Sequence, residues 1–296
     1  MGSQEEPTHA VKSSKSRALR NPSFHVMRGI TYLVVAAVGY VVLDIVVKGI
    51  GSISWSFLTE SPKQGGVAGG ILAPMVGTIY LVAGAMLVAF PIGVGGAIYL
   101  AEYAKNNRLE RAIRVGIITL AGVPSIVFGL FGLGVFVVLF GFGTSLAAGC
   151  LTLASMILPI IMVSTEEALK AVPQSLRQAS LALGATKWQT IWHIVLPLSF
   201  SGILTGSILS IGRAAGETAP LLFTAVAFFL PRLPHSIFDQ VMALPYHLFV
   251  IATQYPDAET AKPMQYGTAF VLVALVLGVN LVAAVLRNRS RKKLRW

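Results

Sequence analysis

The chain has 296 residues, of which 55% are hydrophobic and only 12% are charged, and its formal net charge is +11. A soluble domain has about 25% charged residues, so this composition excludes an ordinary soluble protein and indicates several membrane-spanning helices. The basic residues lie between apolar runs and at the two ends, with no basic face studded with aromatic side chains, so no nucleic-acid partner is predicted. The single cysteine excludes a disulfide within one chain.

Six apolar stretches are long enough to cross the lipid bilayer, which takes about 20 residues. The predicted spans are residues 29–47, one span within 71–101, two within 115–165 that Gly141-Phe142-Gly143-Thr144 divides, one within 194–230, and one at about 266–286. The first of them contains one acidic residue, Asp44. The sequence therefore predicts an all-α integral membrane protein with six transmembrane helices, in contact with membrane lipid.

The distribution of basic residues predicts the orientation. Six spans place both chain ends on one side, and 18 of the 23 Lys and Arg residues fall on that side if it also holds loops 102–114 and 165–193. Cytoplasmic loops carry such an excess. We therefore expect a multi-pass protein of the cell membrane with both termini in the cytoplasm: a disordered basic segment over residues 1–28, a transmembrane domain over 29–286 and a short basic tail over 287–296.

The loop between the fourth and fifth spans, residues 165–197, contains signals for two short helices. Pro173 suits the first position of a helix, because its missing N–H needs no partner there. Gly184 is placed to end that helix in a left-handed conformation. Thr186, with Gln189 three residues later, resembles a capping box that starts a second helix. A plain connection needs only a few residues, so this elbow segment is predicted to be an ordered cytoplasmic docking surface.

The elbow segment resembles the "EAA" coupling loop of ATP-binding-cassette importer permeases. The family pattern is Glu-Ala-Ala, then Gly, then Ile-x-Leu-Pro, and this chain keeps the spacing with Gln178-Ala179-Ser180, Gly184 and Ile194-Val195-Leu196-Pro197. Gln178 and Ser180 depart from the Glu and the second Ala of the pattern. The resemblance implies that the elbow segment docks into a separate cytosolic ATPase. The residues implied in this coupling are Gln178, Ala179, Ser180, Gly184, Ile194, Leu196 and Pro197.

Two charged residues, Arg213 and Glu217, lie four positions apart inside the fifth apolar run. A charged residue at the bilayer centre costs about 2.5–3.5 kcal/mol on insertion scales, so both are expected to face protein or a water-filled path. Their spacing allows the side chains to pair on one helical face. Two interpretations stay open: Arg213 lines the route of an anionic substrate while Glu217 orients it, or the pair only fixes helix packing.

The run Ala215-Gly216-Glu217-Thr218-Ala219-Pro220-Leu221-Leu222-Phe223-Thr224-Ala225 is similar to one in the PstA-type permease of bacterial and archaeal phosphate importers. Further likenesses lie at residues 97–103 and 124–131, and the resemblance extends from about residue 69 to residue 286. It implies the type I ABC importer permease fold.

The same resemblance implies a permease subunit of an ATP-driven importer with inorganic phosphate as its substrate. Arg213, Glu217 and Thr218 are then expected in the substrate pathway. The implied partners are a second, similar permease subunit, two copies of a cytosolic ATPase and an external phosphate-binding protein. The alternative within this class is a permease for another oxyanion, such as sulfate or molybdate.

Two other classes of function fit the residues less well. The chain has no Gly-x-x-x-x-Gly-Lys-Ser/Thr motif to hold a nucleotide, and its five histidines are scattered, so neither catalytic residues nor a metal or cofactor are predicted. We therefore expect no enzymatic activity, with ATP hydrolysis left to a partner. A self-sufficient transporter or channel is expected to show internal repeats and more intramembrane ionisable groups than Asp44, Arg213 and Glu217.

Overall fold

The computed structural model describes residues 22–104, 107–255 and 258–293, and the described chain is predominantly helical. It separates into two units, residues 1–47 and 48–296. Most of the predicted N-terminal segment 1–28, and residues 294–296 of the predicted tail, lie outside the described residues.

The first unit contains most of helix α1 (Pro22–Ile50). Residues 24–43 of its apolar part, Phe24–Ile50, are all exposed within this chain. A helix that is apolar all round is stable in lipid or against another membrane protein, because its backbone groups are bonded internally. The first predicted span is therefore confirmed as a long apolar helix.

The second unit is a bundle of helices with one small hairpin. Its described helices are α2 (Trp55–Thr59), α3 (Leu72–Ile98), α4 (Arg108–Ala121), α5 (Ser125–Gly132), α6 (Leu146–Lys170), α7 (Gln174–Ala182), α8 (Lys187–Thr190), α9 (Leu196–Gly216), α10 (Ala219–Thr224), α11 (Leu244–Thr253) and α12 (Ala258–Lys293). π-Helical turns extend α3 (Tyr99–Tyr103), α5 (Leu133–Leu139) and α8 (Ile191–Val195). The hairpin pairs β1 (Pro62–Lys63) with β2 (Ala68–Gly69) in antiparallel fashion, with Pro62 opposite Gly69.

Helix α6 is the centre of the bundle, and α3, α4, α5, α9 and α10 all pack against it. Small side chains such as Ala85, Ala89 and Ala154 are buried in this contact and allow the helix axes to come close. Larger aliphatic side chains fill the remaining space between the helices. The largest fully buried ones on α3 and α6 are Leu81, Leu153, Met156, Ile157, Ile161 and Leu169.

The predicted number of spans is reached, but one span is bent. Within the described residues, five helices are long and apolar enough to cross a membrane, and a sixth span results if α4 and the helical stretch Ser125–Leu139 count as one, although they meet at 107°. Pro124 explains the bend, because it precedes α5 as its N-cap and disfavours helical geometry at the residue before it. The predicted break at Gly141–Thr144 is present as a turn before α6.

The fifth and sixth predicted spans differ from the observed helices at their ends. Helix α9 stops at Gly216, and only the six-residue α10 follows within the predicted run 194–230. Pro220 has no N–H to donate to the carbonyl of Gly216, so a straight helix cannot continue through it. Helix α12 continues to Lys293, well past the predicted end at residue 286.

Candidate functional site

The elbow segment contains the predicted glycine turn. Gly184 has φ +85, in the left-handed region that glycine adopts without steric cost. Its N–H donates to the carbonyl of Leu181 at 3.0 Å, and the N–H of Ala185 donates to the carbonyl of Ser180 at 3.2 Å. These two bonds form a Schellman motif, which satisfies the last carbonyls of α7 and turns the chain sharply.

The second helix of the elbow begins as predicted but is longer than predicted. The N–H of Thr186 donates to Gln189 Oε1 at 2.8 Å, and the N–H of Gln189 donates back to Thr186 Oγ1 at 3.3 Å, so the capping box is confirmed. The prediction of a separate short helix is wrong, because one helix of 30 residues runs from Lys187 to Gly216. A π-helical turn at Ile191–Val195 accommodates Pro197, which cannot donate to the preceding turn.

The start of α7 also differs by one residue. Pro173 is the N-cap, with φ −56 and ψ 136, and Gln174 is the first helical residue. The fixed φ of Pro173 directs the chain into the helix. The N–H groups of the first helical turn have no acceptor within the helix.

Next to Gly184, the elbow segment buries a polar side chain and exposes an apolar one. Ser180 is buried, and its hydroxyl is 2.9 Å from Thr190 Oγ1, which joins α7 to α8. Leu183, at the tip beside Gly184, is 90% exposed. Of the other residues predicted here, Gln178, Ala179 and Pro197 are exposed, whereas Ile194 and Leu196 are partly buried. The tip therefore presents an apolar side chain to whatever lies beyond this chain.

Arg177 of α7 is buried on the inner side of the elbow segment. Its Nη1 donates to the carbonyl of Val172 at 2.5 Å, and its Nη2 donates to the carbonyl of Leu169 at 2.7 Å. The same Nη2 lies 2.9 Å from Glu102 Oε1. The side chains of Arg177 and Glu102 are only 10% and 9% exposed. A single guanidinium thus joins α7 to the ends of α6 and α3.

Two further basic side chains contact the π-helical turn Tyr99–Tyr103, here called the α3 terminus. Lys187 donates from α8 to the carbonyl of Glu102, and its Nζ lies 4.8 Å from the centre of the Tyr103 ring. Arg114 of α4 donates to the carbonyl of Leu100 at 2.5 Å and forms an ion pair with Glu166. Sequence reasoning missed this cluster, although Glu102 lies in one of the runs that resemble phosphate permeases.

The predicted intramembrane ion pair forms at a break in the fifth span. Arg213 Nε is 3.7 Å from Glu217 Oε1, and the two side chains are 35% and 16% exposed. Glu217 is not on a helical face as predicted, because it follows the last residue of α9 as the C-cap with extended backbone (ψ 136). Thr218 then precedes α10 as its N-cap. The three predicted pathway residues therefore lie together at an interruption between two helices.

The short helix α10 is held against α5 by close glycine contacts. A Cβ at Gly129 would lie 2.8 Å from the Cα of Pro220, and one at Gly132 would lie 2.9 Å from Cγ2 of Thr224. Only a hydrogen fits at these positions, so a side chain would displace α10 at Gly129, and at Gly132 it would also meet Oγ1 of Thr152 on α6. Two of the sequence runs that resemble phosphate permeases are thus packed directly on each other.

The end of the bundle opposite the elbow segment is covered by the loop between α10 and α11. The first backbone N–H groups of α6, at Leu146 and Ala147, donate to the carbonyls of Asp239 and Ile237, both at 2.8 Å. The carboxylate of Asp239 accepts from the N–H groups of His235 and Ser236, and these hydrogen bonds lower the pKa of Asp239. The loop is therefore a folded cap on α6.

A buried histidine lies at this same end of the bundle. His247, on the ten-residue helix α11, is 1% exposed, and its Nε2 has no hydrogen-bond partner among the described residues. It packs against the hairpin, since a Cβ at Gly66 would lie 2.7 Å from His247 Cε1. Burial lowers the pKa of His247 from its usual 6.5 to about 4.

Similarity to known proteins covers most of the chain. Residues 93–296 match the family described as "Binding-protein-dependent transport system inner membrane component". The chain is 38% identical over 264 residues to a probable ABC transporter permease protein, YqgI, of Bacillus subtilis (strain 168). The match covers 84% of this chain and 88% of that protein. It is 36% identical over 255 residues to the phosphate transport system permease protein PstA of Yersinia pestis, covering 85% of this chain and 84% of that protein.

Solved structures resemble the fold at lower sequence identity. A chain in the crystal structure of a bacterial alginate ABC transporter, in complex with an alginate-bound periplasmic protein, is 13% identical with a TM-score of 0.64. The match covers 90% of this chain and 93% of that one. A chain of the MetNI methionine ABC transporter in an inward-facing conformation is 18% identical with a TM-score of 0.59, covering 75% of this chain and 94% of that one. At these identities the likeness concerns the fold alone.

Proposed function

Because this chain belongs to the family of binding-protein-dependent transport system inner membrane components, we propose that it is a permease subunit of an ATP-driven phosphate importer. Its fold is that of the type I ABC importer permeases. The similarity to phosphate permeases over most of the chain supports phosphate as the substrate. The observation that carries the proposal is the elbow segment, a capped and glycine-turned structure with an exposed apolar tip.

The elbow segment is the surface for a separate ATPase. Leu183 offers an apolar side chain at the tip, next to Gly184, and exposed Gln178 and Ala179 add polar and small surface beside it. Ser180 stabilises the turn from within through Thr190. Ile194, Leu196 and Pro197 lie in the long helix that runs from the turn into the membrane. A rigid element of this kind suits coupling, since it transmits a displacement that a flexible loop would absorb.

The orientation follows from the charges. The elbow segment and the loop beside α4 carry basic residues, as cytoplasmic loops do, and so do both chain ends. This distribution supports a cytoplasmic position for the tip, where an ATPase can reach it, and an external position for the cap over α6. The external cap is then the face for a phosphate-binding protein.

The helix break beside Arg213 is the phosphate-contacting part of the pathway. The guanidinium of Arg213 is a third exposed, and its Nε lies 3.7 Å from Glu217 Oε1. This arrangement leaves N–H donors for an oxyanion. Glu217 orients the guanidinium and weakens its attraction for the anion, so that bound phosphate can leave. Thr218 supplies a hydroxyl at the same break. The second permease subunit completes the other wall of the path.

Uptake by the reconstituted complex tests this function. Proteoliposomes should contain this chain, the second permease subunit and two ATPase copies, with the binding protein outside and ATP within. We expect accumulation of labelled phosphate that stops without ATP and that excess unlabelled phosphate, but not sulfate or molybdate, abolishes. Competition by sulfate or molybdate, with weak competition by phosphate, would instead indicate a permease for another oxyanion.

A further inference from the structure

The α3 terminus is the point where three other helices converge on one short turn. Arg114 reaches it from α4, Arg177 from α7 and Lys187 from α8. The C-terminal carbonyls of a helix carry partial negative charge, which attracts cations, and Glu102 adds a full negative charge at the same place. Each contact therefore joins a cytoplasmic-end element to α3 by a charge-assisted bond.

Arg177 is the central bond of this cluster. One guanidinium donates to two carbonyls at the end of α6 and to Glu102 on α3, and both side chains are nine-tenths buried. The planar fork of arginine fixes several acceptors at once, which a lysine cannot do. Exposed pairs such as Lys262 with Glu259 have no such constraint and hold their partners loosely.

A small apolar core lies under the same contact. Leu169 and Val172 from the end of α6 are buried against Val195, with Ile98 of α3 beside them. The elbow segment therefore rests on a packed layer, and the ion pair fastens it at one edge. The elbow, the end of α6 and the α3 terminus form one packed assembly.

We infer that Glu102 is a positioning residue that fastens the elbow segment to α3, so that movement of the elbow by the ATPase is passed to α3 through Arg177. This inference rests on the proposed coupling function. Helix α3 packs along α6, the centre of the bundle, so a displacement of its terminus reaches the membrane interior. Without Glu102, Arg177 still binds the α6 carbonyls, but it no longer joins the elbow to α3.

The test measures coupling in the full reconstituted complex. Glu102→Ala removes the carboxylate, and we expect the phosphate transported per ATP hydrolysed to fall about tenfold, within the range of ordinary coupling energies. Binding of the ATPase to the permease should change less than about twofold, because the exposed tip is intact. Glu102→Gln, which keeps an acceptor oxygen but no charge, should give an intermediate ratio. A lost structural support alone would lower assembly and leave the ratio unchanged.

Two further variants separate the fastening role from misfolding. Glu259→Ala removes the exposed carboxylate that pairs with Lys262 at the start of α12, outside the elbow segment, and should leave coupling at the wild-type level. Glu102→Gln combined with Arg177→Met leaves no unpaired buried charge, so it should assemble while its ratio of phosphate to ATP falls about as far as that of Glu102→Ala. A wild-type ratio of phosphate to ATP in the double variant would overturn the inference. Failure of the wild-type complex to transport phosphate would instead overturn the proposed function.

A distance measurement tests the same inference without disturbing the pair. Spin labels at Tyr99→Cys and Leu183→Cys, both exposed positions, are introduced in a Cys150→Ala background because Cys150 is the single cysteine. We expect the distance between the labels to stay the same in nucleotide-free and ATP-bound complexes that transport phosphate. A change in that distance between the two states would show that the elbow moves independently of α3.

Discussion

Two arginines of this chain are removed from water in different ways. Arg177 is nearly enclosed, and its two Nη groups donate to two carbonyls and a carboxylate, so little of its guanidinium is accessible to another ligand. Its buried Nε has no hydrogen-bond partner among the described residues. Arg213 is a third exposed, and among the described residues its guanidinium pairs only with Glu217, at 3.7 Å. The first arrangement is typical of a structural cation and the second leaves donors free. The difference explains why we assign phosphate contact to Arg213.

Replacement of Arg213 tests that assignment. Arg213→Gln should lower the rate of phosphate uptake at least about tenfold, equivalent to roughly 1.4 kcal/mol of barrier, because the cation that attracts the oxyanion is gone. Assembly of the complex, measured by co-purification of the subunits, should change little. Arg213→Lys keeps the charge and should retain more uptake. Loss of assembly in proportion to uptake would favour a packing role for the ion pair.

Gly184 is the residue on which the elbow geometry depends most. Nothing lies within 4 Å of a Cβ built there, so Gly184→Ala should cost only the left-handed strain, about 1–2 kcal/mol. Gly184→Pro should destabilise the turn more, because proline has its φ fixed near −65° and lacks the N–H that donates to the carbonyl of Leu181. We expect Gly184→Pro to hydrolyse ATP in the complex without moving phosphate.

The matched control for this position is Gly116→Ala. Gly116 lies in α4 with equally open space around it but with ordinary helical backbone, so alanine should be tolerated or slightly stabilising. Membrane insertion of every variant is checked by labelling of loop cysteines. Coupled transport by Gly184→Pro at the wild-type ratio would refute the role of the elbow as a lever.

Among the helices, the sequence correctly predicts those ends that the chemistry of a single residue determines. The turn at Gly184 and the capping box at Thr186 follow from backbone rules that act within four residues, and both are present. The bend before Ser125 also has a local cause, which is Pro124. It was not predicted, because the surrounding apolar run indicates a straight span. The pair of Glu102 with Arg177 joins positions 75 residues apart, so no periodicity or spacing could indicate it.

The packing of α11 against the hairpin should depend on pH. His247 is neutral when folded, with its pKa lowered to about 4, whereas an unfolded histidine titrates near 6.5. The unfolded state therefore binds more protons below pH 6.5, and stability is full above that pH and falls as the pH drops towards 4. The shift corresponds to a loss of roughly 2–4 kcal/mol across this window.

Thermal unfolding of the detergent-solubilised complex at pH 8, 6 and 4.5 measures this effect. His247→Gln does not titrate, so its melting temperature should depend less on pH between 6.5 and 4.5. The lowered pKa of Asp239 does not interfere, because an aspartate of this kind loses its contribution only at still lower pH. Equal pH dependence in the variant and the wild type would contradict the assignment to His247.

At the scale of the whole molecule, the chain has the properties of one part of a larger assembly. Residues 24–43 of helix α1 are all exposed within the chain, and the tip of the elbow carries an almost fully exposed leucine. Composition and charge were enough to predict the membrane spans, because hydropathy acts along the whole sequence. They could not identify the transported anion, because Arg213 and Glu217 fit any oxyanion and the phosphate assignment rests on the similarity to phosphate permeases.

Coupling of ATP hydrolysis to transport requires a separate ATPase that holds the elbow segment. A photo-activated cross-linker at Leu183 in the assembled complex, with one at Leu87 on the exposed side of α3 as the control, tests this directly. We predict that the Leu183 position captures the ATPase subunit, identified by mass spectrometry, and that the Leu87 position does not. Labelling of Leu183 only from outside the cell, or its capture of lipid with no ATPase, would contradict the account.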